Sequence, residues 1–303
     1  MKINLIKSKE FTKYLVIRQD FIKFIKKYDV NNEISLIPNA WINYSNKDQN
    51  TRLANDVFQL AKSLSPESKI CDFGANPPIL SYMLHSLGHK VTSIDYSEKD
   101  WFSECLKKDL GLLIYDIESK GLKNLMINEL EFGLYDAVTL TETFEHLRID
   151  PIQLMLEIRS ILKYNGLLYL TTPNLRRYDS IISIIFDRPL RSRSLHLTYS
   201  HLRIRGFCGH YREFSINEID DFLSKMGFEK IYSGSIDATL LETKFISNKN
   251  INWLKKSFIY TILKNIKDNI SFKLGLGESL YFLYKKKEIK TTSYQFGEEV
   301  YSE

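Results

Sequence analysis

Cysteine is scarce in this 303-residue chain: Cys71, Cys105 and Cys208 are odd in number and far apart. That spacing excludes a disulfide framework and fits a reducing compartment. No apolar run reaches membrane-spanning length, and the opening MKINLIKSKEF lacks the apolar stretch of a secretory signal, so the expected location is the cytoplasm. Charge of one sign is not in large excess either. The net charge of +5 permits anionic partners without demanding nucleic acid. There is no internal repeat and no G-x-G-x-x-G turn. What is present is 44% hydrophobic and 13% aromatic residues, enough for a packed core in one large domain or a domain with an attachment.

The stretch KICDFGANPPILSYMLHSLGHKVTSID, residues 69–95, reads as an apolar strand, a tight turn opened by Asp72 and Gly74, a helix, and a second strand ending in Asp95. This is a βαβ unit of the kind that holds a nucleotide-type cofactor. Gly74 admits backbone conformations and a close approach that a side chain would forbid, and the helix after it begins with unpaired amides. Asp95 lies about twenty residues beyond the turn, where a carboxylate can accept both hydroxyls of a ribose. A dehydrogenase needs glycines where this chain has Asn76, Pro77 and Pro78, so a cofactor without phosphates fits better.

The rest of the chain alternates. Residues 1 to about 65 form a helical lead-in with Phe11, Leu15, Ile22 and Ile25 on one apolar face, and strands are expected near 69–73, 90–95, 112–116, 135–141 and 166–172 with helices between them. Such alternation implies an α/β fold, doubly wound, with a mostly parallel sheet and helices on both faces. Asp150 with Pro151 starts a helix that runs to Lys163, after which Asn165-Gly166 turns the chain. Ser215 with Glu218 forms a capping box ahead of another helix, followed by the strand FEKIYSGS and a last strand at 278–285.

In order and content these pieces resemble the class I S-adenosylmethionine (SAM) methyltransferases. Asp72 and Gly74 carry the likeness to the first motif, LKYNGLLYLTTPN to the fifth strand, and HYREFSINEIDDFLSKMGF to the helix before the sixth. The resemblance covers about residues 50–245 plus the last strand and implies a seven-stranded sheet. The expected organisation is a helical extension over 1–55, a methyltransferase domain over 56–287 and a polar tail over 288–303. By position, Asp72, Gly74 and Ala75 would shape the methionine end of the cofactor pocket, and Asp95 would hold the ribose. Tyr96 would cover the adenine, Asp116 would meet its amino group, and Thr141 and Glu142 would border the sulfonium.

The loop after the fourth strand, YDAVTLTETFEHL, supplies Glu142, Glu145 and His146. A neutral imidazole or a carboxylate there can take the proton of an alcohol acceptor, with His146 the first candidate and Glu145 and His210 beside it. The first reading needs no metal. The alternative is a divalent cation held by Glu142, Glu145, His146 and His210, a spacing that resembles quinone-biosynthesis O-methyltransferases and small-RNA 3′-end 2′-O-methyltransferases. The bland alternative is that Glu145 and His146 only brace the loop.

Between residues 174 and 211 the alternation stops and arginines gather, among them Arg176, Arg177, Arg191, Arg193 and Arg205, with Tyr211 and other aromatics between them. Planar guanidinium groups suit phosphate or carboxylate, so this segment is the expected lid over an anionic acceptor, or else a solvated loop. The EHL, TTPN and REFS set resembles methyltransferases of surface-polysaccharide biosynthesis. The expected activity is therefore O-methylation of a polar or anionic small molecule such as a sugar or glycan precursor. The alternatives are RNA 2′-O-methylation with a metal and a catalytically degenerate interaction module. The basic helical insertion over 250–274 is expected to pack on its own sheet, with a membrane surface or a second subunit as alternatives.

Overall fold

The computed structural model describes residues 9–26, 49–96, 108–120, 130, 132–186, 210–236 and 275–287. The insertion at 250–274, the tail at 288–303, and Arg191, Arg193 and Arg205 of the expected lid lie outside the described residues.

Two N-terminal helices, α1 (Lys9–Lys26) and α2 (Gln49–Ala61), precede β1 (Lys69–Phe73), α3 (Ile79–Ser86), β2 (Lys90–Asp95), β3 (Leu112–Ile114) and the short α4 (Ile117–Lys120). Then come β4 (Tyr135–Thr141), a 3-10 turn (Phe144–His146), α5 (Pro151–Ile161), β5 (Leu162–Pro173), α6 (Tyr178–Ile185), α7 (Ile216–Lys225), β6 (Phe228–Ile236) and β7 (Ser279–Lys286). The seven strands lie in the order β3-β2-β1-β4-β5-β7-β6, parallel from β3 to β5, with β7 antiparallel to both neighbours. The expected doubly wound, mostly parallel seven-stranded sheet is present.

Helices cover both faces, so the strands are apolar on both sides. Along β5, Leu168 and Leu170 join one core with Met155 and Ile158 of α5 and Leu223 of α7. Leu167 and Tyr169 join the other with Phe11 and Phe21 of α1, Val57 and Phe58 of α2, and Met83 of α3. The lead-in face is as expected at Phe11, Leu15 and Ile25. Phe58 receives Phe11 and Tyr14 edge-on at 5.8 and 5.7 Å, and α2 runs through residue 55, so lead-in and domain share one helix and one core.

Three boundaries differ from expectation. Strand β3 stops at Ile114, and Asp116 then accepts the Glu118 amide at 2.9 Å to begin α4. Helix α5 ends at Ile161, and β5 starts at Leu162 rather than 166. Leu162 faces Tyr135 while Leu167 faces Ala137, so the intervening residues bulge, with Asn165 at φ 60. The Asn165-Gly166 signal marks a bulge inside the strand instead of a turn before it. Both helix starts are as read: Asp150 accepts the Ile152 amide at 2.8 Å, and Ser215 and Glu218 form their reciprocal box. No helix among the described residues is long and apolar enough to cross a membrane.

Candidate active site

The strand order reverses between β1 and β4: β1 continues into α3 on one face, and β4 into α5 on the other. At such a switch point the two loops part and leave a crevice at the carboxyl ends of the strands, where α/β sheets bind ligands. Gly74 stands at this crevice with φ 77, its amide donating to Ile94 O at 2.9 Å. A Cβ at Gly74 would come 2.0 Å from Thr143 Oγ1, so only glycine lets the two loops approach. Ala75 is buried beside it.

The helix start is less open than its position implies. Pro77 and Pro78 have no amide hydrogen, and the Ile79 amide donates to Pro77 O at 2.7 Å. The expectation of unpaired amides facing the ligand is therefore corrected at these three positions.

Asp72 is turned inward. Ser81 donates to one carboxylate oxygen at 2.5 Å and Thr139 to the other at 2.6 Å, tying β1 to α3 and β4. Burial pushes its pKa up to about 6 against the pull of both hydroxyls. Asp95, ending β2, is pushed up to about 7, first by burial and then by the Asp72 charge, with the Tyr96 amide working the other way. A carboxylate so short of solvent suits a ligand that brings donors, as a ribose diol does. Tyr96 is half exposed next to it, and Asp116 caps α4 at the neighbouring strand end.

After β4 the chain makes an elbow at Glu142, a non-glycine residue with φ 52 whose amide donates to Thr171 O at 2.9 Å. Such conformations are costly for a side chain and persist where the surroundings fix them. The elbow sends Glu142 and Glu145 in different directions. Glu142 Oε1 lies 3.6 Å from Arg52 Nη1, whereas Glu145 is buried with Oε2 accepting from Thr172 at 3.1 Å.

Glu145 Oε1 makes no hydrogen bond and lies 3.7 Å from His146 Nε2 and 3.9 Å from His210 Nε2. The two imidazoles meet edge to face, centroids 4.6 Å apart. Burial, then the charge of Glu142, pushes Glu145 up to about 8. Donor atoms of Glu145, His146 and His210 all lie within 4.8 Å of one another, a fit for one metal ion. Of the four residues expected to share a metal, these three come together and Glu142 stands with Arg52. The His210 segment is held here because the Tyr211 amide donates to Glu145 O at 2.9 Å and the Leu175 amide to Phe214 O at 3.0 Å.

Four residues of this edge escaped the reading of the sequence: Arg52, Asp56, Tyr169 and Thr171. Arg52 is buried, and its Nη1 donates to Thr171 Oγ1 at 3.1 Å and to Asp56 Oδ2 at 3.4 Å. Burial works against its charge, yet Glu142, Asp56 and Glu145 raise its pKa above the ordinary value. The signal was available only as the spacing Arg52-x-x-x-Asp56 on a helix. Of the expected acceptor contacts, Arg176 is exposed and Arg177 half-buried just beyond β5, while Tyr211 is exposed with the Arg148 guanidinium 5.4 Å from its ring. Arg148 is committed to Glu118, its Nη2 and Nε donating to the one oxygen Oε2 at 2.9 and 3.2 Å, which joins α4 to the loop after β4.

The family model described as a methyltransferase domain matches residues 45–233, more than half of the chain. The ubiquinone biosynthesis O-methyltransferase of Xanthomonas campestris pv. campestris is 26% identical over 145 residues, 47% of this chain and 59% of that protein's own length. Among solved structures, a SAM-dependent methyltransferase from Archaeoglobus fulgidus gives a TM-score of 0.46 at 16% identity, covering 77% of this chain and 92% of that one. A Haemonchus contortus phosphoethanolamine N-methyltransferase 2, solved with phosphomonomethylethanolamine and S-adenosylhomocysteine, gives 0.46 at 15%, covering 77% and 52%. On the match to the domain model over more than half of its length, this chain belongs to the methyltransferase-domain family, with the class I SAM-dependent fold.

Proposed function

We propose that this protein is a SAM-dependent methyltransferase that methylates an oxygen of a polar or anionic acceptor, such as a sugar or glycan precursor. The observation that carries this reading is the unbonded Oε1 of buried Glu145 against two imidazoles at the carboxyl edge of the sheet. SAM supplies a methyl group on a sulfonium, and the protein must align the acceptor with it and remove the acceptor's proton. His146, the more exposed imidazole, would accept that proton. Glu145 and His210 would hold its ring and stabilise the cation formed. Asp95 would take the ribose hydroxyls, with Asp116 and Tyr96 at the adenine. The amino-acid end of SAM carries a carboxylate and an ammonium, and Arg52 beside Glu142 offers the complementary pair. Arg176, Arg177 and Tyr211 would meet the acceptor, and an O-methyltransferase among the relatives supports oxygen as the acceptor atom.

The grouping of Glu145, His146 and His210 favours a second reading, in which a divalent cation binds the acceptor oxygen and the acceptor is an RNA 2′-hydroxyl. Such an ion lowers the pKa of a bound oxygen. Calorimetric titration with S-adenosylhomocysteine tests the cofactor: binding at micromolar ligand is expected, and none at millimolar ligand would leave an interaction module as the better description. Methyl transfer to nucleotide sugars and to an RNA panel, each with and without EDTA, then separates the readings. Transfer to a sugar that survives EDTA is the expected result. Transfer confined to RNA and abolished by EDTA would replace it with the metal reading.

A further inference from the structure

Four side chains that no motif joins form a buried square between α2 and β5. Arg52 and Asp56 are four apart on the helix, and Tyr169 and Thr171 are two apart on the strand, so each pair shares one face. Four helical residues rise about 6 Å and two strand residues about 6.6 Å, so the pairs meet in register when helix and strand run antiparallel. Tyr169 donates its hydroxyl to Asp56 Oδ1 at 2.7 Å, Arg52 donates to Thr171 Oγ1 at 3.1 Å, and Arg52 donates to Asp56 Oδ2 at 3.4 Å. Asp56 is fully buried. A carboxylate removed from water stays charged only where partners compensate it, and here those partners are Arg52 and the Tyr169 hydroxyl.

The guanidinium so held is the one beside Glu142 at the crevice. Arginine has a long and flexible side chain, and one hydrogen bond to Thr171 would leave it several rotamers. Asp56 draws it from below and is itself fixed by a hydroxyl on a central strand.

We infer that Asp56 and Tyr169 are positioning residues, which aim the Arg52 guanidinium at the amino-acid end of the bound cofactor and so select a ligand that carries that end. The inference rests on the proposed cofactor reading and adds to it a device outside the crevice, built from a helix that precedes the first strand.

The test compares two ligands on the full-length protein by calorimetry: S-adenosylhomocysteine, and 5′-methylthioadenosine, which lacks the amino-acid end. Asp56→Asn is expected to weaken S-adenosylhomocysteine about tenfold, the loss of one charge-assisted hydrogen bond, and to leave methylthioadenosine within about twofold. Tyr169→Phe, which removes one hydroxyl and keeps the ring, is expected to weaken the first about threefold and the second not at all. It also serves if the Asp56 variant does not fold. In the Arg52→Lys background, Asp56→Asn should add less than its effect in the wild type, because both act on one contact. Equal weakening of both ligands, or wild-type affinity for both in both variants, would overturn the inference and leave the cofactor reading intact. Failure of the wild-type protein to bind either ligand would overturn that reading, and the inference with it.

Discussion

Asp72 and Asp95 stand near the ends of neighbouring parallel strands, yet their carboxylates have different tasks. Asp72 is saturated by two internal hydroxyls and fixes the turn that Gly74 makes. Asp95 is held up at about 7 by burial and by that neighbouring charge, so its ionised form gains most from an incoming donor. A diol can donate to both oxygens of the carboxylate but only to the carbonyl oxygen of the acid, so binding is strongest once the proton is lost. Affinity for S-adenosylhomocysteine should therefore fall by up to about tenfold for each unit of pH below 7 and level off above it. In Asp95→Asn the fall between pH 7 and about pH 6 should be absent, and only the loss that protonation of Asp56 brings below pH 6 should remain. Asp95→Ala should lose roughly 1–3 kcal/mol at pH 8, and wild-type affinity in calorimetry would refute the ribose assignment. The spacing from Gly74 made the place of Asp95 at the end of β2 legible. The separate tasks of Glu142 and Glu145 were not, because they follow from a left-handed elbow at Glu142, a conformation that a glutamate does not advertise.

At the scale of elements, local signals read well and long-range ones did not. The caps Asp150 and Ser215 with Glu218 act within three residues, so the chain itself displays them. Asn174 of TTPN shows the opposite. Its side-chain amide donates to Gly275 O at 2.9 Å and Gly277 O at 2.7 Å, and its oxygen accepts the Arg176 amide at 3.0 Å. It thereby latches the end of β5 to the approach to β7, about a hundred residues away. Asn174→Ala would leave two carbonyls and an amide short of partners and should cost roughly 2–4 kcal/mol in urea unfolding. Asn174→Asp, which keeps the acceptor and loses the donors, should recover only part of that. A loss below about 0.5 kcal/mol for the alanine variant would show that the latch contributes little.

Across the molecule, four carboxyls among the described residues have raised pKa values: buried Asp56 and Asp72 to about 6, half-buried Asp95 to about 7 and buried Glu145 to about 8. The folded protein holds these protons more tightly than the unfolded chain. Their contribution to stability is complete below about pH 4 and is lost as pH rises through 6 to 8. The ligand-free protein should thus lose stability between pH 5 and pH 8 in urea unfolding, and saturating S-adenosylhomocysteine should offset part of that loss at the upper end. A stability that rises over this interval would contradict the raised values. The alternation of strands and helices, the seven-strand count and the turn at Gly74 were determined by sequence alone, because hydrophobic period, caps and glycine act over a few residues. Tertiary structure alone decided that β7 enters antiparallel between β5 and β6, that Glu145 joins His146 and His210 while Glu142 joins Arg52, and that Asp56 meets Tyr169. Asp56 and Tyr169, for example, are 113 positions apart, where packing geometry rather than local pattern selects the partner.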